Sequence, residues 1–238
     1  MFKLGQETMC ADEIIRFWKS LTIKSIYKSW DYWGRLSVLW RTSLYDSAPL
    51  VKLIKENISL DRIRASGKKV SVGTVSLTSG KYTIFNQDSD DFIDAVLASS
   101  AFPVIMSPVK IGTELWLDGG MKQITPLHTA IEMGATEIDV IITSPETRNK
   151  HFIPKPNIVD VIKRAFDLST DKIMSNDLEK AIMYNKMAEA MLINKKVVKL
   201  NIIRPDLNLI EDSFDFDPIK IGKMIELGYE DTKKKYNT

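Results

Sequence analysis

Cysteine is almost absent from this sequence. The 238 residues contain one cysteine, Cys10, and two histidines, His128 and His151. A single thiol excludes a disulfide framework within the chain and a cysteine-rich zinc site. We expect no metal and no other cofactor. Because proteins without disulfides are typical of reducing compartments, we expect a cytoplasmic protein.

The sequence also lacks an excess of charge and any long apolar run. Its 33 Lys and Arg residues balance 31 Asp and Glu residues, which leaves a net charge of +2. Nucleic-acid binding usually requires a clear basic excess, so we expect no nucleic-acid partner. No apolar run is long enough to span a bilayer. The hydrophobic content of 44% is ordinary for a folded globular protein.

Hydrophobic periodicity predicts an α/β fold, with a sheet layered by helices. The part from about 11 to 60 has apolar residues at helical spacing. Strands are predicted at 69–77, 82–85, 109–111, 114–117, 138–142 and 197–203. A helix capped by Ser89 or Asp90 is predicted to run through Leu97 and to stop before Pro103. Later helices are predicted at 126–133, at 158–193 as one or two long helices, and at 219–235. The run 138–142 is continuously apolar, which is typical of a strand buried on both faces. Thr125 is placed to cap the helix that has Pro126 at its first position.

The strongest local candidate for chemistry is Leu117-Asp118-Gly119-Gly120, where a carboxylate ends a predicted strand and two glycines follow. Ligands of open α/β sheets bind at the carboxyl ends of strands. Asp118 at that position could orient or deprotonate a nucleophile, and the glycines would let another group approach closely. The alternative is an Asp-Gly turn between a strand and a helix, which is a common structural feature.

The surrounding sequence closely resembles the patatin-like phospholipase family. The resemblance is densest at 98–144 and extends from about residue 11 to the C-terminus. It is carried by Ala98-Ser99-Ser100-Ala101-Phe102-Pro103, Pro108-Val109, Leu117-Asp118-Gly119-Gly120, Pro126-Leu127, Ala130 to Ala135, Asp215-Phe216-Asp217-Pro218 and Ile225 to Tyr229.

This resemblance implies an acyl-ester hydrolase, of the lipid acyl hydrolase or phospholipase A type, that uses a Ser–Asp dyad. In the family the Ser lies in G-x-S-x-G on a turn between a strand and a helix, and an earlier glycine-rich loop forms the oxyanion hole. Asp118 matches the dyad Asp, and Gly119 and Gly120 complete its motif. The implied fold is a patatin-like layered sheet with helices on both faces, and we expect Asp118 to face a cleft.

Two parts of the family pattern are missing from the sequence. It contains no G-x-S-x-G and no glycine-rich loop of the oxyanion type, and Thr125 stands where many members have Asn. We therefore expect a single patatin-like domain over 1–238 that lacks the N-terminal strand and the nucleophile helix. In it, 1–60 would form a helical, cap-like region and 61–238 the α/β core with the C-terminal helices.

No other residue is a convincing replacement for the missing serine. Ser99 and Ser100 lie where a helix is predicted to end, and Ser76 and Ser79 flank a predicted hairpin turn. A nucleophile needs a base and an oxyanion site together, which none of these positions offers. Cys10 lies near the N-terminus, and His128 is expected on a helix surface.

Aromatic and basic residues are concentrated in the first part of the chain. Four of the five tryptophans lie there, interleaved with basic residues: Trp18, Lys19, Lys24, Lys28, Trp30, Trp33, Arg35, Trp40 and Arg41. One interpretation is a surface that contacts lipid headgroups. The other is ordinary helix packing with basic side chains extending outward.

Three interpretations follow from this pattern. In the first, the chain is part of a patatin-like hydrolase of lipids or other acyl esters, peripheral to a membrane, and a partner chain or another segment supplies the Ser and the oxyanion loop. In the second, it is a non-catalytic remnant that binds a lipid or a protein. In the third, it is a truncated reading frame with little function of its own. The sequence upstream of Met1 distinguishes them, because a G-x-S-x-G there would favour the first.

Overall fold

The computed structural model describes residues 11–30, 40–146, 155–194, 196–206 and 215–236. The chain divides into two compact units, Met1–Gly120 with Phe214–Lys223 and Met121–Ser213 with Met224–Thr238. The single domain expected over 1–238 stays a prediction.

The first unit begins with short helices and two very short strands. In chain order these elements are α1 (Ala11–Ser20), α2 (Ile23–Ile26), β1 (Lys28–Ser29), β2 (Tyr45–Asp46), α3 (Ala48–Asn57) and α4 (Leu60–Ala65). Strands β1 and β2 pair in antiparallel fashion, so the region expected to be helical up to residue 60 also contains a small strand pair.

A four-stranded antiparallel sheet forms the centre of the first unit. Its strands are β3 (Ser71–Ser76), β4 (Tyr82–Asn86), β5 (Val109–Ile111) and β6 (Glu114–Asp118), in the order β4-β3-β6-β5. The helix α5 (Phe92–Ser99) packs on this sheet. Its fully buried Ala95 and Ala98 lie in one hydrophobic cluster with Ile111 and Trp116. The small side chains of Ala95 and Ala98 allow the helix to pack close to the sheet. The two predicted hairpins, β3–β4 and β5–β6, are confirmed.

The second unit combines helices with a parallel pair of strands. It contains α6 (Leu127–Glu132), β7 (Glu137–Ile141), α7 (Ile158–Glu189) and β8 (Lys199–Ile203). Strands β7 and β8 pair in parallel, from Glu137 opposite Lys199 to Ile141 opposite Ile203. The core of this unit is a cluster of buried side chains from these elements: Leu127, Val140, Ile142, Met174 and Ala181. The last helix, α8 (Pro218–Tyr236), has residues in both units.

One or two long helices were predicted at 158–193, and the structure has a single one, the 32-residue α7. Asn157 is its N-cap, because the Asn157 side-chain oxygen accepts hydrogen bonds from the N–H groups of Val159 at 2.8 Å and Asp160 at 3.1 Å. The Asp160 carboxylate accepts the Asn157 N–H in return, at 3.0 Å. This reciprocal capping box satisfies donors that a helix start otherwise leaves unpaired.

Two local predictions were wrong. The strand predicted at 138–142 is not buried on both faces, since Ile141 is 73% exposed and only Val140 in β7 is buried. Its apolar run reflects packing on one side, against α6 and α7, and not a central position in a sheet. Thr125 does not cap α6, because Pro126 occupies the N-cap position and the helix begins at Leu127.

The predicted α/β fold class is confirmed, since helices and strands follow one another along the chain. Among the residues that the structure describes, no helix combines the length and the hydrophobicity needed to cross a bilayer.

Candidate active site

Asp118 is the last residue of β6, as the sequence predicts. It lies opposite Thr74 of the neighbouring strand β3 in the sheet register. The Asp118 N–H donates to the Ala101 carbonyl at 3.2 Å, which ties the strand end to the loop that follows α5. The backbone around the carboxylate is therefore held both by the sheet and by the loop.

The Asp118 carboxylate has one defined hydrogen bond. Its Oδ1 accepts the Gly120 N–H at 2.8 Å. Within the described parts of the chain, no second donor reaches this carboxylate. Burial raises the pKa of the Asp118 carboxyl above its ordinary value, and the Gly120 hydrogen bond offsets part of that rise. A carboxylate with a raised pKa and a free oxygen is suited to accept a proton.

Gly119 is required for a reason different from the one expected. A Cβ atom at this position would lie 2.4 Å from the Gly73 carbonyl oxygen of β3. A Cβ at Gly73 would lie 2.1 Å from the Tyr82 hydroxyl oxygen, but that is the end of a side chain that can move. The missing side chain of Gly119 lets the turn after Asp118 lie directly against the backbone of β3. Gly119 thus fixes where β6 ends, and Gly120 supplies the N–H that holds the carboxylate.

The loop that accepts the Asp118 N–H contains a strained residue. Val104 has a φ of 70°, a left-handed conformation that β-branched residues rarely adopt. The flanking backbone is anchored, because the carbonyls of Val104 and Ile105 accept the N–H groups of Leu44 and Tyr45 at 2.8 and 3.1 Å. Strain of this kind is often found at functional sites, and here it lies three residues after Ala101, whose carbonyl accepts the Asp118 N–H.

Two of the serines considered as replacement nucleophiles, Ser76 and Ser100, have structural roles. Ser76 is fully buried, and its Oγ accepts the N–H groups of Thr78 and Ser79 at 3.2 and 3.0 Å, which shapes the hairpin turn. Ser99 and Ser100 lie at the C-terminal end of α5, as predicted. The Ser100 hydroxyl donates to the Val96 carbonyl at 2.9 Å. These contacts bind the hydroxyls to the backbone and not to a base.

The histidine His128 lies on the surface of α6, as predicted. Its side chain is 68% exposed, and its Nε2 lies 3.2 Å from the Glu132 carboxylate one turn further along the helix. His151 and Cys10 lie outside the described residues. Among the residues that are described, no three Cys, His, Asp or Glu side chains cluster as metal ligands would.

The aromatic residues of the first part divide between packing and exposure. Tyr27 is buried and stacks on Tyr45, with 4.7 Å between the ring centroids. The Arg41 guanidinium lies 3.8 Å from the Trp30 ring centre. Trp40, by contrast, is 82% exposed. Packing therefore accounts for Tyr27, whereas contact with lipid headgroups stays a prediction, and Trp33 and Arg35 lie outside the described part.

The motif around Asp118 falls inside a match to a known family. The model of the patatin-like phospholipase family matches residues 4–131, which is more than half of the chain and includes Asp118, Gly119 and Gly120. The chain belongs to the patatin-like phospholipase family. The family assignment agrees with the mixed α/β fold and with the position of Asp118 at the end of a strand.

A curated viral protein supports the same relationship. "Probable lipid hydrolase 463L" of invertebrate iridescent virus 6 is 27% identical over 169 residues. The matched part is 64% of this chain and 58% of the viral protein, so the chain spans little more than half of that relative's length.

Sequence reasoning missed Asp177, a buried carboxylate in this patatin-like chain. Asp177 lies in the middle of α7 and is 6% exposed. Its Oδ2 accepts the N–H groups of Ile124 and Thr125 at 2.9 and 3.1 Å. A signal for it exists in the sequence, because Met174, Asp177 and Ala181 recur at the helical spacing of a buried face. An acidic residue on such a face needs a partner, and here the partner is backbone more than fifty residues earlier.

Proposed function

We propose that this chain contributes the Asp of a Ser–Asp dyad to a patatin-like lipid acyl hydrolase. Asp118 carries the proposal, because it ends a strand, holds one backbone N–H on Oδ1 and keeps Oδ2 available. The family match over 4–131 and the similarity to a viral protein named as a lipid hydrolase support the reaction class. The proposed substrates are lipids or other acyl esters, cut by a phospholipase A type of reaction.

Asp118 would act as the general base in this reaction. As the Ser oxygen bonds to the ester carbonyl carbon, the Ser proton moves to the Asp118 carboxylate. The tetrahedral intermediate then collapses, the bond to the alcohol oxygen breaks, and the proton passes from Asp118 to the leaving alcohol. Water attacks the acyl-enzyme in the same manner and releases the acid. The raised pKa of Asp118 makes its carboxylate a stronger base for these proton transfers.

The nucleophile would come from a segment that is outside this sequence. None of the 238 residues forms a G-x-S-x-G, and the described serines near the sheet bind backbone groups. The segment would be another part of the same polypeptide or a partner chain, and it would also supply the oxyanion donors. Losing even one such donor costs about 3–4 kcal/mol of transition-state stabilisation, so this chain alone should be inactive.

Complementation tests this proposal directly. The chain is purified alone and together with the product of the coding sequence upstream of Met1, either fused or as a separate polypeptide. We expect hydrolysis of p-nitrophenyl butyrate and labelling by a fluorophosphonate probe only when the upstream segment with its Ser is present. The matched control replaces that Ser with Ala and should be inactive. Labelling of any residue in the purified chain alone would contradict an external nucleophile.

A non-catalytic lipid-binding module is the second candidate. The missing nucleophile motif favours it, and exposed aromatics such as Trp40 and Trp18, at 82% and 46% exposure, would suit contact with a membrane surface in the cytoplasm. This function predicts that the chain sediments with lipid vesicles while no upstream segment restores hydrolysis. Restored hydrolysis that depends on Asp118 would reject it.

A further inference from the structure

The second unit contains a cavity that the proposed hydrolase chemistry does not use. Its volume is about 490 Å³, which is in the range of small-molecule sites. All of its lining residues belong to α6, α7 and the segments next to them. Thr125 and Asp177 lie together in its wall, since the Thr125 N–H donates to the Asp177 carboxylate. The rest of the wall combines polar side chains, such as His128 and Tyr184, with apolar ones, among them Ala181, Met187 and Ile193.

The polar part of this cavity has unused hydrogen-bonding capacity. Asp177 accepts two backbone N–H groups, but both reach Oδ2. In the described part of the chain, no donor reaches its Oδ1. Thr125 is only 8% exposed, and its Oγ1 has no hydrogen-bond partner. An unpaired buried hydroxyl is unfavourable, and a bound ligand with a hydroxyl group would supply the missing hydrogen bond.

The rest of the cavity suits an alkyl chain. The segment that supplies Ile193 to the wall also presents Met191 and Leu192, which are 91% and 73% exposed. Met183, another lining residue, is 58% exposed. Apolar side chains that continue from the wall onto the surface are typical of sites that take up lipids.

The charges around the cavity favour an uncharged headgroup. Asp177 and Lys180, three residues apart on α7, both line the cavity. Asp177 would repel the carboxylate of a fatty acid, and Lys180 would repel the ammonium group of a long-chain amine, so neither charged headgroup meets only opposite charge here. A hydroxyl group can donate to Asp177 and interact with Thr125 without either penalty.

We propose that this cavity binds a single-chain lipid with a glycerol-like, hydroxyl-bearing head, placed against Asp177 Oδ1 and Thr125 Oγ1. The alkyl chain extends along Ala181, Met187 and Ile193 toward the exposed Met191 and Leu192. This inference is independent of the hydrolase proposal, because it uses neither Asp118 nor a nucleophile.

Three probes with the same alkyl length test the headgroup by titration calorimetry on the intact chain. They are 1-O-octylglycerol, which has no ester to hydrolyse, its 2,3-dimethyl ether and octanoate, each below its micelle concentration. We expect octylglycerol to bind about tenfold tighter than the dimethyl ether, since one net hydrogen bond is worth about 1–1.5 kcal/mol. Octanoate should bind more weakly than octylglycerol. Equal or tighter binding of either competitor, or no binding of octylglycerol at millimolar concentration, would overturn the proposal.

Two cavity variants and one surface variant test the location. Thr125→Val removes the hydroxyl but keeps the shape, so it should weaken octylglycerol binding several-fold, leave the dimethyl ether unchanged and raise the melting temperature of the ligand-free protein. Met187→Trp fills the cavity and should abolish binding of both neutral probes. Ile182→Trp is the control, because Ile182 lies on the same helix, is 44% exposed and does not line the cavity. If Ile182→Trp reduces binding as much as Met187→Trp, the lipid binds elsewhere and the assignment is wrong.

Discussion

Asp118 and Asp177 are two buried or half-buried carboxylates that the chain holds in opposite ways. Asp118 ends a strand and accepts an N–H from Gly120, two residues away. Asp177 lies in the middle of a helix and accepts N–H groups from residues 53 and 52 positions earlier. The first carboxylate is held by its own turn, whereas the second joins two distant parts of one unit.

This difference separates a chemical role from a structural one. A carboxylate held by a single local hydrogen bond keeps an oxygen free, and burial raises the pKa of Asp118. A carboxylate that pairs two backbone donors of a loop instead fixes that loop in place, since unpaired backbone N–H groups are costly when buried. Removing Asp118 should therefore impair reaction more than folding, and removing Asp177 should impair folding first.

The largest effect is expected from Asp118→Asn in the chain complemented with its nucleophile segment. Asn can still accept the Gly120 N–H, but it cannot take the Ser proton. We expect kcat for p-nitrophenyl butyrate to fall about 10²- to 10⁴-fold, the usual contribution of a general base. Glu114→Gln, at the other end of β6, is the control and should retain activity. Full activity of Asp118→Asn would remove Asp118 from the mechanism.

The next largest effect tests the close backbone approach beside Asp118. In Gly119→Ala the new Cβ would lie 2.4 Å from the Gly73 carbonyl oxygen, so the backbone of β3 or of the turn must shift. Overpacking of this kind costs about 3 kcal/mol, measured as the free energy of unfolding in urea. Gly228→Ala in α8 is the matched control, because a Cβ there meets open space. That change should raise stability by up to about 1 kcal/mol. Equal effects of the two substitutions would show that the approach to β3 is not tight.

A smaller effect is expected from Asp177→Ala, which probes the structural side of the comparison. The substitution leaves the N–H groups of Ile124 and Thr125 without their acceptor. We expect a loss of about 2 kcal/mol in the free energy of unfolding, because the adjoining cavity admits some water to these groups. Glu179→Ala, an exposed position two residues further along α7, should change stability by less than about 0.5 kcal/mol. An Asp177→Ala variant as stable as the parent would refute the structural role.

The same contrast explains what could be predicted from the sequence. The β3–β4 and β5–β6 hairpins, α7 and the strand end at Asp118 follow from patterns that span only a few residues. Thr125 and Asp177 were misjudged or missed because their environment is set by a contact between segments more than fifty residues apart. The prediction that the strand at 138–142 is buried on both faces was wrong for a similar reason, since periodicity cannot reveal that β7 has a single described neighbour in its sheet. The clefts and cavities around these residues depend entirely on such distant contacts.

The smallest effect concerns the pH dependence of stability and separates burial of Asp118 from its catalytic role. Burial raises the pKa of Asp118 in the folded protein, whereas in the unfolded chain the same carboxyl has its ordinary pKa of about 3.9. Between these two values the folded state holds a proton that the unfolded state has released, so the contribution of Asp118 to stability falls as pH rises through that window. Asp118→Asn cannot titrate and escapes this loss.

The difference in unfolding free energy between Asp118→Asn and the parent chain should therefore grow as pH rises from below about 4 and level off above the folded pKa. Urea unfolding at a series of pH values measures this difference. Glu137 and Asp217 have a lowered pKa, since hydrogen bonds from Lys199 and from the Lys220 N–H stabilise their charged forms, and they give stability the opposite slope. Because both residues are present in both proteins, their contributions cancel in the difference. If the difference in unfolding free energy does not change with pH, the Asp118 carboxyl is well solvated. Its pKa would then not be raised by burial, and that reason for its strength as a base would be wrong.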